Sequence, residues 1–491
     1  MKKYLENLEN VSADYNNKIS DVLSKINKNE LGICFILKKG VLKGICTDGD
    51  IRRSLLKGYK LNSPVKKILS KKYVCLDYRS SIDLIQKKIS DVIKIIPLVD
   101  ENKKLVDYVS YNRFRSIPQY EPDLKGNELI YLNDCIKTGW ISSRGKYVNQ
   151  FEDKFKNFIK AKYSLSTSSC TTALHLALKT LGINKGDEVI VPDYTFVSPI
   201  NSVIHSGAKP VIADIETKNL CMSLNSIKKK ITSRTKAIII VHTYGHAAEI
   251  DKITKYAKKN KILVIEDCAE ALGTYFKKKH VGIFGDCSCF SFYGNKTIST
   301  GEGGMLIFKD KSNFLKAKQL RDHGMSSKTK YWYEQIGFNY RLTNIQAAIG
   351  IAQLEKLDIF LNKKRWIAEN YFKNLKDIKH IQLPLIEPKT INSYWLFYFI
   401  VKKKYINHRN KIVNYLLKKG IEARSGFFRF DQMKLYKSYS KGSFPNSKFI
   451  SDNIITLPSF PALKENEIRK ICHEIKKYFK TYNGVEKTSK D

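Results

Sequence analysis

Lys296 stands in Ser291-Phe-Tyr-Gly-Asn-Lys-Thr-Ile-Ser-Thr-Gly-Glu-Gly-Gly304, a run of small, polar and glycine residues with no other charged side chain from Cys287 to Gly301. A lysine in such a setting can form an imine with an aldehyde. In a chain with 87 Lys and Arg residues most lysines are solvated surface groups, so the neighbours of this one decide its meaning. Ile262-Leu-Val-Ile-Glu-Asp267 reads as a buried strand ending in carboxylates, and Gly285-Asp-Cys-Ser-Cys-Phe-Ser291 as a second strand that leads into the lysine loop. A strand-end Asp267 and a lysine on a glycine-rich turn are the pair that pyridoxal phosphate needs, an amine for its aldehyde and an acid for its ring nitrogen. Thr167-Ser-Ser-Cys-Thr-Thr-Ala-Leu-His-Leu-Ala-Leu178 places hydroxyl-bearing residues directly before an apolar-periodic helix. That is an N-cap by itself and, beside Lys296 and Asp267, a phosphate cup.

The elements around these residues alternate at βα spacing. Residues 151–160 and 171–181 read as helices. Glu188-Val-Ile-Val191, Pro210-Val-Ile-Ala213, Ala237-Ile-Ile-Ile-Val241 and Ile262-Leu-Val-Ile265 read as short, continuously apolar strands. Strands without alternation imply a sheet covered on both faces, hence a mainly parallel α/β layer. From Asn344 a long helix is expected to run through to Leu375, followed by a strand over 393–401 and helices within 406–419 and 467–479, which together make a smaller α/β domain. The expected divisions are 1–115, 116–365 and 366–482, with 483–491 a disordered tail. The chain's 491 residues are more than one core usually serves.

Composition narrows the function classes. No apolar run reaches the roughly 18 residues of a membrane span, and Met1-Lys-Lys-Tyr-Leu-Glu-Asn lacks the apolar core of a signal peptide, which points to the cytoplasm and away from membranes. The ten cysteines show no CxxC pair, and no metal site is expected. The net charge of +40 is spread along the chain rather than clustered, which argues against nucleic-acid binding. It does suit attraction of anionic substrates such as nucleotide sugars.

Residues 1–115 carry an internal repeat: Leu31–Leu37 and Leu42–Thr47 form a hairpin followed by a helix from Asp50, and Val92–Val99, Leu105–Ser110 and the stretch 111–115 repeat the order about sixty residues later. Gly44-Ile-Cys-Thr-Asp-Gly-Asp-Ile-Arg-Arg53 resembles the strand-to-helix motif of tandem CBS domains. That resemblance implies that Thr47 and Asp50 bind the ribose of an adenine nucleotide; the alternative is that they cap the helix. In the second copy Asp107 and Arg113 replace the motif glycine and aspartate, so one competent nucleotide pocket is implied.

Five ordered segments give the rest of the chain a second resemblance. Trp140-Ile-Ser-Ser-Arg-Gly-Lys146, Pro192-Asp-Tyr-Thr-Phe-Val197, Glu266-Asp-Cys-Ala-Glu-Ala-Leu-Gly273, the Lys296 run, and Gly337-Phe-Asn-Tyr-Arg-Leu-Thr-Asn344 resemble the DegT/DnrJ/StrS sugar-nucleotide aminotransferases, of PLP-dependent transferase fold type I. The resemblance implies Lys296 as the imine lysine and proton shuttle and Asp267 as the acid that keeps the pyridine nitrogen protonated. It implies Phe196 stacked on the ring, Ser169, Cys170, Thr171 and Ser291 around the phosphate, and Asn339, or alternatively Arg341, reaching that phosphate from the other subunit of a homodimer. Glu270 would lie near the cofactor oxygen or the substrate, or form a supporting hydrogen bond. Trp140, Ser142 and Arg424 are candidate substrate contacts. Within the family the resemblance is nearest to enzymes that aminate GDP-4-keto-6-deoxymannose with L-glutamate for surface polysaccharides such as O-antigen. The alternatives are a UDP- or dTDP-linked 4-keto sugar, or a PLP-retaining regulatory protein responsive to nucleotides. A related dehydrating branch carries histidine in place of the lysine, so Lys296 favours amino transfer.

Overall fold

The computed structural model describes residues 8–488 apart from 30, 91, 111–115, 403, 404, 406 and 407. The chain divides into two units, Met1–Ser116 and Ile117–Asp491.

The first unit is built from two three-stranded sheets of the same plan. Ser12–Asp14 pairs parallel with Ile33–Lys38, which pairs antiparallel with Val41–Thr47. Leu76–Asp77 likewise pairs parallel with Ile95–Val99, which pairs antiparallel with Leu105–Ser110. The repeat read from the hairpins is therefore a repeat of whole sheets, and each opens on a short edge strand whose two or three residues are too few to show alternation. Val11, Ile33, Phe35 and Leu42 of the first copy share a core with Val99 and Tyr108 of the second. Thr47 caps the helix Asp48–Leu56 reciprocally: its hydroxyl accepts the Asp50 N–H at 3.1 Å, and Asp50 accepts the Thr47 N–H at 2.9 Å and its hydroxyl at 2.7 Å. Arg53 completes the cluster with an ion pair to Asp50 at 2.6 Å. The expected 111–115 segment, including Arg113, lies outside the described residues.

The second unit is organised by a seven-stranded sheet in the order Tyr163–Thr167, Gly304–Phe308, Cys287–Ser291, Leu263–Asp267, Thr235–Val241, Glu188–Pro192 and Lys209–Ala213. Gly304–Phe308 runs antiparallel to both neighbours while the other six share one direction. Apolar clusters pack on the sheet, one built with the helix Cys170–Thr180 and another with Lys146–Ile159 and Asn344–Glu355. Gly350 in the last of these sits against the Phe151 ring, where a Cβ would come within 2.8–3.0 Å of the ring carbons. A four-stranded antiparallel sheet, Ile381–Gln382, Phe397–Val401, Ile454–Leu457 and Arg424–Ser425, packs with the helices Leu357–Leu375 and Glu465–Thr488 around a separate core.

Three details differ from the sequence expectation. The long helix after Asn344 is two helices, Asn344–Glu355 and Leu357–Leu375, broken at Lys356, whose ammonium leaves to pair with Asp123 at 2.8 Å. The second of them runs unbroken across the expected division at 365/366. The last helix extends to Thr488, so residues 483–488 continue it instead of opening a tail; the helix is anchored by Ile468, Ile471, Cys472, Ile475 and Phe479 in the core, and its hydrogen-bonded turns propagate into the polar end. Nine of the ten cysteines are buried; Cys75 is exposed. Among the described residues no helix is long and apolar enough to cross a membrane.

Candidate active site

The six co-directional strands end on one edge of the sheet, and the chain leaves that edge at Thr167, Pro192, Ala213, Val241, Asp267 and Ser291. Ligands of open α/β sheets collect there, where strand ends present loops and helix starts. The segments read from sequence as chemically loaded are these exits.

Glu266 and Asp267 close the Leu263–Asp267 strand and, with period two, face opposite ways. Glu266 is structural: its carboxylate accepts from the N–H groups of Gly282 (2.8 Å), Phe284 (2.8 Å) and Gly285 (2.6 Å) and pairs with His242 Nε2 at 3.0 Å. Burial opposes its charge, but His242 and these N–H donors hold it below the usual carboxylate range. Glu266 and His242 also lie close to Cys268; because His242 Nδ1 accepts the Ala248 N–H at 3.2 Å, Nε2 carries the hydrogen given to Glu266, which spends both ring nitrogens on hydrogen bonds. Asp267 turns to the other side, where its Oδ1 accepts the Ala269 N–H at 3.0 Å. Burial pushes its carboxyl up, against the pull of that N–H and of Lys296.

Lys296 lies in the irregular loop after Cys287–Ser291, and its side chain is 12% exposed. Nζ sits 3.7 Å from the centroid of the Trp395 ring and 3.9 Å from Glu270 Oε1. Burial lowers its affinity for a proton, and Glu270, Asp267 and Cys170 work in the opposite sense. Glu270 is fixed by its other oxygen, which accepts the Tyr244 N–H at 2.8 Å. Burial pushes Glu270 up to about 7 against the attraction of Lys296. Tyr244 holds this bond from a left-handed backbone at φ 51°. The loop is anchored by its carbonyls: the Tyr120 hydroxyl donates to that of Lys296, and Trp395 Nε1–H donates to that of Asn295 at 2.7 Å.

The helix Cys170–Thr180 begins beside this group. Ser169 is its cap, with Ser169 Oγ accepting the Thr172 N–H and Thr172 Oγ1 accepting the Ser169 N–H, both at 3.1 Å. The first N–H groups, those of Cys170 and Thr171, have no acceptor within the helix by construction and carry the positive end of its dipole. Thr171 Oγ1 meets Ser198 Oγ of the next helix at 2.6 Å. Gly304 permits this approach, since a Cβ there would fall 2.5 Å from the Ser169 carbonyl oxygen and 2.7 Å from the Cys170 nitrogen. Ser291 ends its strand with its hydroxyl accepting the Tyr293 N–H at 3.4 Å.

Lys296, Asp267 and Glu270 are thus brought together with the capped start at Ser169, Cys170 and Thr171. Phe196 is exposed and approaches Phe427, centroids 6.4 Å apart. Asn339 and Arg341 bond to each other at 3.0 Å, and Arg341 pairs with Asp322 at 2.6 Å. Trp140 and Ser142 belong to a turn tied to Asn344 through their carbonyls, at 2.7 and 2.6 Å. Arg424 is exposed and paired with Glu422. Sequence reading missed Trp395, Tyr120 and Tyr244. Trp395 was assigned to a strand over 393–401, which begins only at Phe397 because Tyr394 adopts φ 48°.

A largely enclosed lysine beside two carboxylates, with a capped helix start within the same group of strand exits, is what a phosphorylated aldehyde cofactor requires, and the corresponding family model matches residues 122–476. The chain belongs to the DegT/DnrJ/EryC1/StrS aminotransferase family. It is 43% identical over 364 residues to the GDP-perosamine synthase of Vibrio cholerae, covering 74% of this chain and 99% of that one. It is 41% identical to the GDP-perosamine synthase of Escherichia coli O157:H7, covering 74% and 98%. Among solved structures it is similar to Helicobacter pylori PseC, an aminotransferase of pseudoaminic acid biosynthesis, with TM-score 0.71, 28% identity and coverage of 75% of this chain and 100% of that one. This family member is a pyridoxal phosphate-dependent sugar-nucleotide aminotransferase, and its residues fit the cofactor: an amine at Lys296, an acid at Asp267, and the first N–H groups of a capped helix start at Cys170 and Thr171.

Proposed function

We propose that this aminotransferase converts GDP-4-keto-6-deoxy-D-mannose and L-glutamate to GDP-perosamine and 2-oxoglutarate, for a surface polysaccharide such as O-antigen. The observation that carries the reading is a site centred on Lys296, Asp267 and Glu270 in a segment that spans 98–99% of two GDP-perosamine synthases at 41–43% identity. Bound pyridoxal phosphate supplies an aldehyde that carries the amino group and a ring that accepts electrons. With the cofactor bound, Lys296 would hold its aldehyde carbon and move the proton; Asp267 would keep the ring nitrogen protonated; Ser169, Cys170, Thr171 and Ser291 would hold the phosphate; Phe196 would cover the ring. Glu270 Oε1 exchanges a proton with Lys296 Nζ. Trp140, Ser142 and Arg424 contact the substrate.

The reading extends to assembly and control. Asn339 or Arg341 completes the phosphate site of a second subunit, so the active unit is a homodimer, working in the cytoplasm. Residues 1–115 form a tandem CBS module whose Thr47 and Asp50 receive an adenine nucleotide, on release of the Thr47–Asp50 cap described above; the matching plans of the two sheets support this.

The test is incubation with L-glutamate and a panel of GDP-, UDP- and dTDP-4-keto-6-deoxy sugars, with products identified by mass. Amination of the GDP sugar at the highest kcat/KM, lost about 10³-fold or more in Lys296→Ala, is the expected result. A UDP or dTDP sugar aminated faster overturns the assignment of substrate, and full activity of Lys296→Ala overturns the assignment of the lysine.

A further inference from the structure

The lysine of an aminotransferase works in two states, bonded to the cofactor aldehyde and free. The free state recurs in every turnover, when the cofactor holds the amino group, and the amine must then wait without being lost to solvent or to a wrong rotamer. In this chain that lysine is Lys296. Nζ lies over the indole of Trp395, 3.7 Å from the ring centroid, with Glu270 Oε1 at 3.9 Å.

The seat is built rather than incidental. Trp395 is buried and fixed from three sides. Its Nε1–H is committed to the carbonyl of Asn295, the residue next to the lysine. Its own carbonyl accepts from the buried Lys364 at 3.0 Å, and Lys364 also reaches the Ser459 carbonyl at 2.6 Å. Its indole stacks on Tyr244, centroids 5.9 Å apart and planes 21° apart. The left-handed Tyr394 turns the chain immediately before it, so the ring points at the loop instead of joining the strand that starts two residues later. The Tyr120 hydroxyl holds the Lys296 carbonyl, which leaves the side chain as the mobile part.

We propose that Trp395 is a positioning residue for amino transfer: its indole face is the resting seat of the Lys296 amine whenever that amine is free, and the face holds it as the ammonium ion beside Glu270. An indole face attracts a cation through its quadrupole, more strongly when water is excluded. Burial works against the proton on Lys296. The ionisable groups that face the amine are the Glu270 and Asp267 carboxyls and the Cys170 thiol. Of these contacts the indole is the one that does not change charge during turnover, so it sets a constant bias toward the protonated amine.

The test uses the full-length enzyme loaded with pyridoxamine phosphate, the form that leaves Lys296 free. The pH dependence of Lys296 acetylation by acetic anhydride, read by mass spectrometry of its peptide, reports the pKa of the amine. Site-specific replacement of Trp395 by mono-, di- and trifluorotryptophan keeps its shape and its N–H while weakening the ring quadrupole. The expected result is a stepwise fall in the Lys296 pKa, reaching about one unit in Trp395→Leu. If Trp395→Leu does not fold, the fluorinated series decides alone. An unchanged Lys296 titration in the trifluorotryptophan enzyme overturns the proposal, because a merely structural tryptophan would be indifferent to fluorination.

Discussion

Asp193 follows the Glu188–Pro192 strand into the site edge and is fully buried, and among the described residues neither of its carboxylate oxygens has a hydrogen-bond partner. Burial and then the charge of Asp431 push it up to about 7, against the pull of Arg429, with Asp214 adding to the rise. A folded-state pKa raised above the unfolded one means the native state binds the extra proton. Its stabilising effect is present in acid and lost as pH rises through about 7. Between about pH 5 and pH 8 this single group removes roughly 2–3 kcal/mol of stability. In Asp193→Asn the difference in thermal midpoint between those pH values is expected to shrink, and midpoints that diverge as in the wild type would refute it. Lys296, Asp267 and the Ser169–Thr171 turn were legible in sequence because each is local, a residue type with its own neighbours as setting. Trp395 and Tyr120 were not. They hold carbonyls 100 and 176 residues away, and nothing in an aromatic residue's local sequence says which loop its N–H or O–H will reach.

The elements that carry the site meet at backbone distance. The contact of Gly304–Phe308 with the start of the helix Cys170–Thr180 leaves no room for a side chain at Gly304. Gly304→Ala is expected to force that helix start away by several tenths of an ångström, at about 1–3 kcal/mol. The measurable result is a pyridoxal phosphate dissociation constant raised about tenfold or more in absorbance titration, with a lowered melting temperature; wild-type affinity would refute the close-approach argument. Continuous apolar runs identified the parallel strands correctly, and the helices read at 151–160 and 171–181 form at Lys146–Ile159 and Cys170–Thr180. The break at Lys356 and the displaced strand start at Phe397 were illegible because neither has a local sign: Lys356 pairs with Asp123, remote in sequence, and Tyr394 turns through a left-handed φ of 48° without a glycine to announce it. The antiparallel course of Gly304–Phe308 was illegible as well, since an apolar five-residue strand looks the same in either direction.

At the scale of the whole molecule, the family match begins at residue 122 and the first unit ends at Ser116, so the repeat-built unit is an addition to a framework that relatives complete without it. A chain beginning at Ile117 is expected to fold and to retain kcat within about twofold in the absence of nucleotides, since every residue assigned to the chemistry lies in the second unit. A loss of 100-fold or more in a folded protein would show that the first unit supplies part of the site. If adenine nucleotides alter the full chain and leave the truncated one unaffected, the effect is coupling between two sites. The distribution of cysteines makes that coupling open to direct observation. Cys75, in the first unit, is the one exposed thiol, so a maleimide dye would attach there without any cysteine having to be removed, and the enzyme as nature made it already carries an optical label point on the half whose response to nucleotides is in question.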